Sequence, residues 1–273
     1  MKKNIGFLCL FVLLITSCTS VKVTTLKNEN KKIHNCKGIF VFVDSVDINF
    51  RTNLEKKIKE NLENHDKKVI ESYTVFPPLK KYSLTEMYEI GKEKNYDSVL
   101  YVTQMSAEKE REYFLLSGVL LSDTNVTSSF DVQHIDLTDS QVIFRSTVNS
   151  EGDTMNAIVR SVATKIASEF LIEECREFVP ILQEMLPNDL KITQLSKTKY
   201  SITGISKFGE ISIAYGDFEI TLPVSFSSVV KDERNLVERI VTSSSSYCRI
   251  STNNINDLQY IANLLITFNN SKK

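Results

Sequence analysis

The amino-acid sequence predicts an α+β fold, in which helices pack on a mixed β-sheet and a smaller, antiparallel β-rich domain follows. Three observations lead to this prediction. Between residues 38 and 103, apolar runs typical of strands alternate with charged segments whose apolar residues recur every three or four positions. Up to residue 148, strand-like segments then follow one another with polar turns between them. After residue 187, short alternating segments are joined by glycine-bearing turns.

The first strand and helix are predicted by an apolar run and a four-residue period. Gly38–Val43 is continuously apolar, which is typical of a strand covered on both faces. Phe50, Leu54, Ile58 and Leu62 then recur every four residues through a charged stretch. Because this period places them on one side of a helix, we expect an amphipathic helix that packs on the strand.

The next elements are predicted by residues that end or begin regular structure. Lys68–Val75 has the composition of a second strand, and Pro77 ends it. Ser83, with Glu86 three residues later, has the spacing of a capping box, which predicts a second helix. The apolar segment Ser98–Thr103 is expected to be a third strand.

Hairpins and a long helix are predicted after this strand. Turn-forming residues cluster at Ser122–Asn125 and at Thr138–Ser140. The antiparallel strands that these turns would join are Tyr113–Leu121, Val126–Leu137 and Gln141–Val148. Asp153 or Thr154 then caps a long helix with a single apolar stripe.

The last third of the chain predicts a β-rich domain that ends in a helix. Its five strand candidates are Leu190–Gln194, Lys199–Gly204, Glu210–Tyr215, Asp217–Pro223 and Val237–Ser243. Asp257 can cap a final helix, although Ile266–Phe268 is equally compatible with a strand. The serine run Ser243–Ser246 is expected to be a solvated loop.

The order β-α-β-α-β-β-β-β-α resembles a small α/β domain of bacterial envelope proteins. This domain occurs at the N-terminus of TolB and in the penicillin-binding-protein activator lipoproteins. The resemblance rests on the segments KGIFVFVDS, KNYDSVLYVTQ and FDVQHIDLTDSQVIFRSTV. It implies a protein that works through contacts with other proteins. Such domains share no catalytic residues, so the resemblance implies no active site.

The N-terminus resembles the export signal of bacterial lipoproteins. A short basic start precedes the apolar stretch Ile5–Ile15, and Ile15-Thr16-Ser17-Cys18 resembles a lipobox. The apolar stretch is shorter than the roughly 20 residues of a membrane-spanning helix. The resemblance implies that Cys18 is acylated and becomes the mature N-terminus. Thr19, rather than aspartate, then implies an outer-membrane lipoprotein that faces the periplasm.

The predicted organisation has four parts, and Pro180 and Pro187 place the last boundary between Phe178 and Leu190. The parts are a signal peptide at residues 1–17, a tether at 18–35, an α/β envelope domain at 36–178 and a β-rich domain at 188–273. Removal of the two lysines of the signal takes the formal net charge from −1 to −3. A chain with this charge has no global basic field for nucleic acid.

Few residues suggest chemistry. Asp44 and Ser45 follow the first strand, where α/β sheets commonly bind ligands, so they are candidate ligand-binding residues. Ser106–Lys109 and Ser228–Lys231 fit S-x-x-K, a pattern too short to indicate an enzyme without its companion motifs. His34–Cys36 lacks the second ligand pair of a zinc site. We expect no metal, no cofactor and no catalytic residue.

The cysteines of the mature chain leave two alternatives open. Export would permit a disulfide, for which Cys36 with Cys175 is the preferred pair, while Cys248 would stay single. The other alternative is three separate, buried thiols, since the spacings are long and irregular.

Taken with the anchor, these observations favour a non-enzymatic lipoprotein of the cell envelope. Its folded body is expected to bind or scaffold an envelope protein or the cell-wall polymer. A carrier or sensor of a small ligand, or an unrecognised hydrolase, is the alternative.

Overall fold

The computed structural model describes residues 19–28, 31, 36, 38–76, 83–116, 119–214 and 216–273. These residues form two compact units. The first contains the described residues up to 28 together with 38–167, and the second contains residues 31, 36 and 168–273 without 215. Each unit has its own β-sheet with helices, so the structure has the predicted α+β class.

The first unit is built on a mixed sheet. Its strands are β1 (Ser20–Lys27), β2 (Gly38–Asp44), β3 (Lys68–Glu71), β4 (Ser98–Leu116), β5 (Val119–Asp136) and β6 (Val142–Gly152). In the described part of the chain they lie in the order β1-β6-β5-β4-β2-β3. β2 is parallel to both of its neighbours, β3 and β4. The other neighbours are antiparallel.

Among the described residues of this unit, three helices are predicted by the sequence and one short helix is not. The helices are α1 (Ile48–Glu63), the unpredicted α2 (Ser72–Val75), α3 (Leu84–Glu93) and the first part of α4 (Met155–Arg176). The Asp47 carboxylate caps α1, and Ser83 and Glu86 form the predicted capping box at α3. The predicted apolar side of α1 is buried at Phe50, Leu54, Ile58 and Leu62.

The centre of the sheet is buried on both faces. On one face, the ring of Phe50 in α1 stacks on Phe130 in β5, with 5.8 Å between the ring centroids. On the opposite face, Phe40 and Phe42 of β2 meet Phe76 edge-on, at centroid distances of 5.6 and 6.4 Å. This two-sided burial explains why β2 is a continuous apolar run.

The strand predicted over Lys68–Val75 is wrong in its second half. β3 ends at Glu71, and the chain turns into the short helix α2. In this turn the Ser72 hydroxyl and the Tyr73 backbone amide both donate to the buried carboxylate of Glu55. The buried Glu55 carboxylate needs hydrogen-bond donors, and the turn brings these two groups to it. In a continuing strand they would point elsewhere.

The three strands predicted between Ser98 and Leu137 are instead two. β4 and β5 form one long hairpin, whose pairing extends from Ser98 opposite Asp136 to Leu116 opposite Val119. The turn predicted at Ser122–Asn125 is wrong, because these residues lie within β5 and pair with β4. Pairing along the neighbouring strand outweighs the turn preference of four residues.

The tether predicted at residues 18–35 is wrong over Ser20–Lys27, which forms the edge strand β1. It pairs with β6 along its whole length. Val21, Val23 and Thr25 are half-buried and alternate with exposed residues, as expected of an edge strand with one covered face. The polar composition of this segment obscured the two-residue period.

The second unit contains an antiparallel sheet covered by helices. Its strands are β7 (Lys191–Ser196), β8 (Lys199–Thr203), β9 (Lys207–Ala214), β10 (Asp217–Pro223), β11 (Val237–Val241) and β12 (Ser246–Thr252). Among the described residues they lie in the order β11-β12-β10-β9-β8-β7. The helices are α5 (Phe178–Met185), α6 (Ser225–Val229) and α7 (Leu258–Asn270). Their apolar sides, including Leu182 and Leu265, share one core with Ile211 and Ile220 of the sheet.

Several details of this unit differ from the prediction. The division between the units falls within α4, ahead of the expected interval, because Cys175 and Phe178 already belong to the second core. Pro180 lies in the first turn of α5, where a helix needs no backbone N–H donor. The segment Ile266–Phe268 is helical. Strand β12, which begins at Ser246, was not predicted.

We expect the buried side of α1 to stabilise the first unit. Leu54 is fully buried, so Leu54→Ala should lower the free energy of unfolding by about 2–5 kcal/mol through lost contacts and a cavity. Ile48 lies on the same helix and is 50% exposed, so Ile48→Ala should change it by less than about 0.5 kcal/mol. Urea unfolding of both purified variants measures this. Equal losses would contradict the packing of α1.

Candidate functional site

The predicted ligand-binding residues lie at the carboxyl end of β2, next to β4. Asp44 is exposed, and its carboxylate accepts a hydrogen bond of 3.1 Å from the hydroxyl of Tyr101. The Ser45 hydroxyl donates to the Gln104 side-chain oxygen at 2.6 Å. Burial raises the pKa of Tyr101, so its hydroxyl stays a donor near neutral pH. Sequence reasoning identified this edge but missed Tyr101 and Gln104, which the neighbouring strand supplies.

A buried carboxylate lies beneath this edge. Glu55 of α1 is fully buried, and its carboxylate accepts from the backbone amides of Val43 at 3.0 Å and Tyr73 at 3.2 Å. It also accepts from the Ser72 hydroxyl and from Nε of Arg51 at 3.2 Å. Burial raises the pKa of Glu55, while these hydrogen bonds and the Arg51 charge oppose the rise.

Arg51 connects this network to the exposed edge. Its guanidinium donates to the Ser72 hydroxyl at 2.7 Å and lies 4.7 Å from the centroid of the Phe42 ring. Phe42 in turn stacks on Tyr101, with 5.6 Å between centroids. These contacts form a continuous path from Glu55 to Asp44. The path positions the edge residues, while Glu55 itself has no solvent-accessible surface from which to act on a ligand.

The second unit contains a cleft that sequence reasoning did not predict. It has a volume of about 500 Å³ and lies over β9, β10 and the end of α7. Apolar side chains line its wall: Phe208, Leu222, Tyr247 and Phe268. At the rim, Lys207 forms an ion pair of 2.6 Å with Glu210, and the Lys272 ammonium lies 5.1 Å from the Phe268 ring centroid. A cleft of this shape suits a mainly apolar ligand.

The two S-x-x-K sequences do not form serine–lysine pairs. Ser106 and Lys109 lie three residues apart on β4, and this spacing directs them to opposite faces of the strand. The Ser228 hydroxyl donates to the Ser225 carbonyl at 2.8 Å, whereas Lys231 pairs with Glu233. In neither place does the lysine lie where it could activate the serine.

The cysteines among the described residues, Cys36, Cys175 and Cys248, are all buried and are not joined in disulfides. Cys175 donates from its Sγ to the Gly216 carbonyl at 3.1 Å, and Cys248 to the Val224 carbonyl at 3.8 Å. The alternative of three separate thiols is therefore confirmed, and the Cys36–Cys175 disulfide is not formed.

Several sequence predictions fall outside the described residues: the signal peptide at residues 1–17, the acylation of Cys18, the histidine of the dismissed zinc pair, His34, and the strand end at Pro77. Among the residues that are described, no group of three or more histidine, cysteine, aspartate or glutamate side chains could hold a metal ion. Each helix of the described segments is also too short or too polar to cross a bilayer.

A fully buried histidine lies in the first unit. His134 of β5 is fully buried, and its ring centroid is 5.2 Å from that of Phe144 on β6. Burial lowers the pKa of His134 to about 3, against a weaker opposing effect of Asp136. The side chain is therefore neutral at physiological pH and forms part of the core.

Comparisons with known proteins give structural likeness only. No family model matches the chain, and no curated protein sequence matches it. PelC from Paraburkholderia phytofirmans, solved as a dodecamer, is 12% identical over 54% of this chain and 94% of that chain, with a TM-score of 0.37. Lipoprotein GNA1162 from Neisseria meningitidis is 18% identical over 48% and 97%, with a TM-score of 0.32. A minor lipoprotein from Acinetobacter baumannii is 9% identical over 51% and 94%, with a TM-score of 0.30.

The burial of His134 predicts a specific dependence of stability on pH. The folded state binds its proton only near pH 3, whereas the ordinary pKa is 6.5, so the unfolded state gains protons first as the pH falls. The free energy of unfolding should therefore decrease below pH 6.5 by up to about 1.4 kcal/mol per pH unit from this residue.

The comparison of His134→Gln with the wild type isolates this contribution. Urea unfolding across that pH range should give a shallower loss for His134→Gln. His65→Gln, in the turn after α1, is the matched control for the loss of a histidine elsewhere in the unit. Identical slopes for wild type and His134→Gln would show that folding does not lower the pKa of His134.

Proposed function

We propose that this chain is a lipid-anchored lipoprotein of the bacterial cell envelope, whose body is a non-enzymatic binding or scaffolding module. The observation that carries the proposal is Ile15-Thr16-Ser17-Cys18, which follows a basic start and an apolar stretch. We place the anchor in the outer membrane, facing the periplasm, on the basis of Thr19. The partner is another envelope protein or the cell-wall polymer.

Two features of the described residues support this proposal. Strand β1 begins at Ser20, two residues after Cys18 in the sequence, so a lipid on Cys18 would hold the body close to the membrane. The polar groups that resemble catalytic sets are separated or engaged in structural hydrogen bonds, as the Ser228 hydroxyl and the Glu55 carboxylate illustrate. Both features suit a module that acts by position and contact.

A carrier of a small ligand is the second candidate function. It is favoured by the cleft of about 500 Å³ in the second unit, which falls within the ordinary range of ligand sites. Ser225 lines this cleft and is exposed, whereas Ser228 on the same short helix is exposed outside it. Ser225→Trp would therefore fill the cleft, and Ser228→Trp is its matched control.

We expect Cys18→Ala to abolish acylation, because the thiol is the site of lipid attachment. Cells grown with an alkyne fatty acid should label the wild type and leave the variant unlabelled and uncleaved. Cys9→Ala changes a cysteine within the apolar stretch of the signal and should label normally. Undiminished labelling of Cys18→Ala would contradict the lipoprotein assignment.

We further expect crosslinking in intact cells to join the tagged, acylated protein to a partner of discrete mass. The product should be several-fold weaker for Cys18→Ala, because an unanchored body is not held where the partner is. A carrier would give a different result. Native mass spectrometry would then reveal a bound small molecule that Ser225→Trp displaces and Ser228→Trp retains, without a crosslinked partner.

A further inference from the structure

The register of the first sheet places the anchored end of the chain beside the long hairpin. Ser20 of β1 pairs with Glu151 of β6. Glu151 pairs with Thr127 of β5, and Thr127 pairs with Glu108 of β4. These four residues therefore form one row across the sheet, and β1 begins at this end.

Beyond this row the hairpin continues as an arm. β6 ends at Gly152, opposite Val126, and the described pairing from Glu110 and Asn125 onwards is between β4 and β5 alone. The arm extends from the end of the sheet at which β1 begins. Cys18 precedes Ser20 by two residues in the sequence, and two residues of chain span at most about 7 Å.

The sequence of the arm changes from charged to apolar along its length. Glu108–Glu112 is a run of five alternating charges, and Glu108, Lys109 and Glu110 are exposed. The tip of the arm consists of Tyr113–Leu116 paired with Val119–Ser122. All of these residues are apolar except Ser122. A two-stranded ribbon by itself is only marginally stable in water, so an apolar segment of this kind suits an apolar environment.

The dimensions of the arm match those of a membrane interface. At about 3.3 Å per residue, the tip begins about 16 Å beyond the row and ends about 26 Å beyond it. Since two residues of chain reach at most about 7 Å from the row, the tip begins roughly 10 Å and ends roughly 20 Å beyond that reach. The headgroup layer on one side of a bilayer is only about 5–7 Å thick, so an arm of this length passes through it.

We propose that this tip is a second membrane contact, which enters the boundary between headgroups and acyl chains of the bilayer that holds the lipid anchor. This inference rests on the proposed acylation of Cys18. Insertion is shallow, because a two-stranded ribbon directs half of its backbone groups outward and the hydrocarbon interior leaves such groups without partners. A depth of about 5–10 Å is typical of interfacial elements and equals the height of the tip. The anchor and the arm together would fix the orientation of the first unit.

Single tryptophans can test this contact, because the natural chain has none. Leu120→Trp places the probe in the tip, and Leu115→Trp places it at the paired position on the other strand. Leu26→Trp is the matched control, since Leu26 is 71% exposed and lies near the opposite end of the same sheet. Each acylated variant is reconstituted in vesicles of phosphatidylethanolamine and phosphatidylglycerol that carry brominated acyl chains.

Bromines near the ester end of the chains should reduce the emission of both tip variants by about half, because a shallow indole lies at that depth. Bromines near the methyl end should reduce it less, and the emission of Leu26→Trp should stay unchanged. Circular dichroism of each variant shows whether it is folded. Because two tip positions are used, the test remains possible if one of the two variants does not fold.

Three results would overturn the inference. Tip emission that no bromine quenches, in vesicles that retain the acylated protein, would exclude the arm from the membrane and leave the anchor in place. Blue-shifted but unquenched emission would place the tip against protein, such as a second copy. Absence of alkyne fatty acid on the same samples would contradict the lipoprotein proposal together with the inference drawn from it.

Discussion

The register of the antiparallel strands in the first sheet is the constraint on which the rest of that unit depends. Side chains alternate along a strand, so a slip of one residue would exchange every core residue with its neighbours. The observed register places Phe130 under Phe50 of α1 and keeps Phe144 beside His134. The same register pairs Ser20 with Glu151. It therefore determines the end of the sheet at which β1 begins.

The Glu55 carboxylate is a second constraint, because a buried ionisable group is tolerated only when its hydrogen bonds are satisfied. Its donors come from the end of β2, from α1 and from the turn after β3. These segments must therefore meet in one arrangement. The contacts of Arg51 with Ser72 and Phe42 extend that order to Tyr101 and the exposed edge. A polar network of this kind specifies geometry more than it adds stability.

Sequence patterns predicted elements well where one residue period dominated and poorly where pairing partners were distant. The buried side of α1 and the capping box at Ser83 are local features, and both were found. The length of the β4–β5 hairpin and the strand at Ser20–Lys27 depend on ladders formed with other strands, so local turn residues and lysines misled the prediction. The cleft of the second unit was missed because Phe208 and Leu222 of the sheet meet Phe268 of α7 only in the folded unit.

The sequence by itself determined the lipobox-like start, the α+β class, the faces of the principal helices and the position of Asp44 and Ser45 at a strand end. These properties follow from composition and from periods of two or four residues, which are local. Only the tertiary structure decided the neighbours of each strand, the hydrogen-bond donors around Glu55 and the register in which β1 pairs with β6. Those outcomes depend on contacts between residues far apart in the chain, whose free energy arises only when the whole sheet packs.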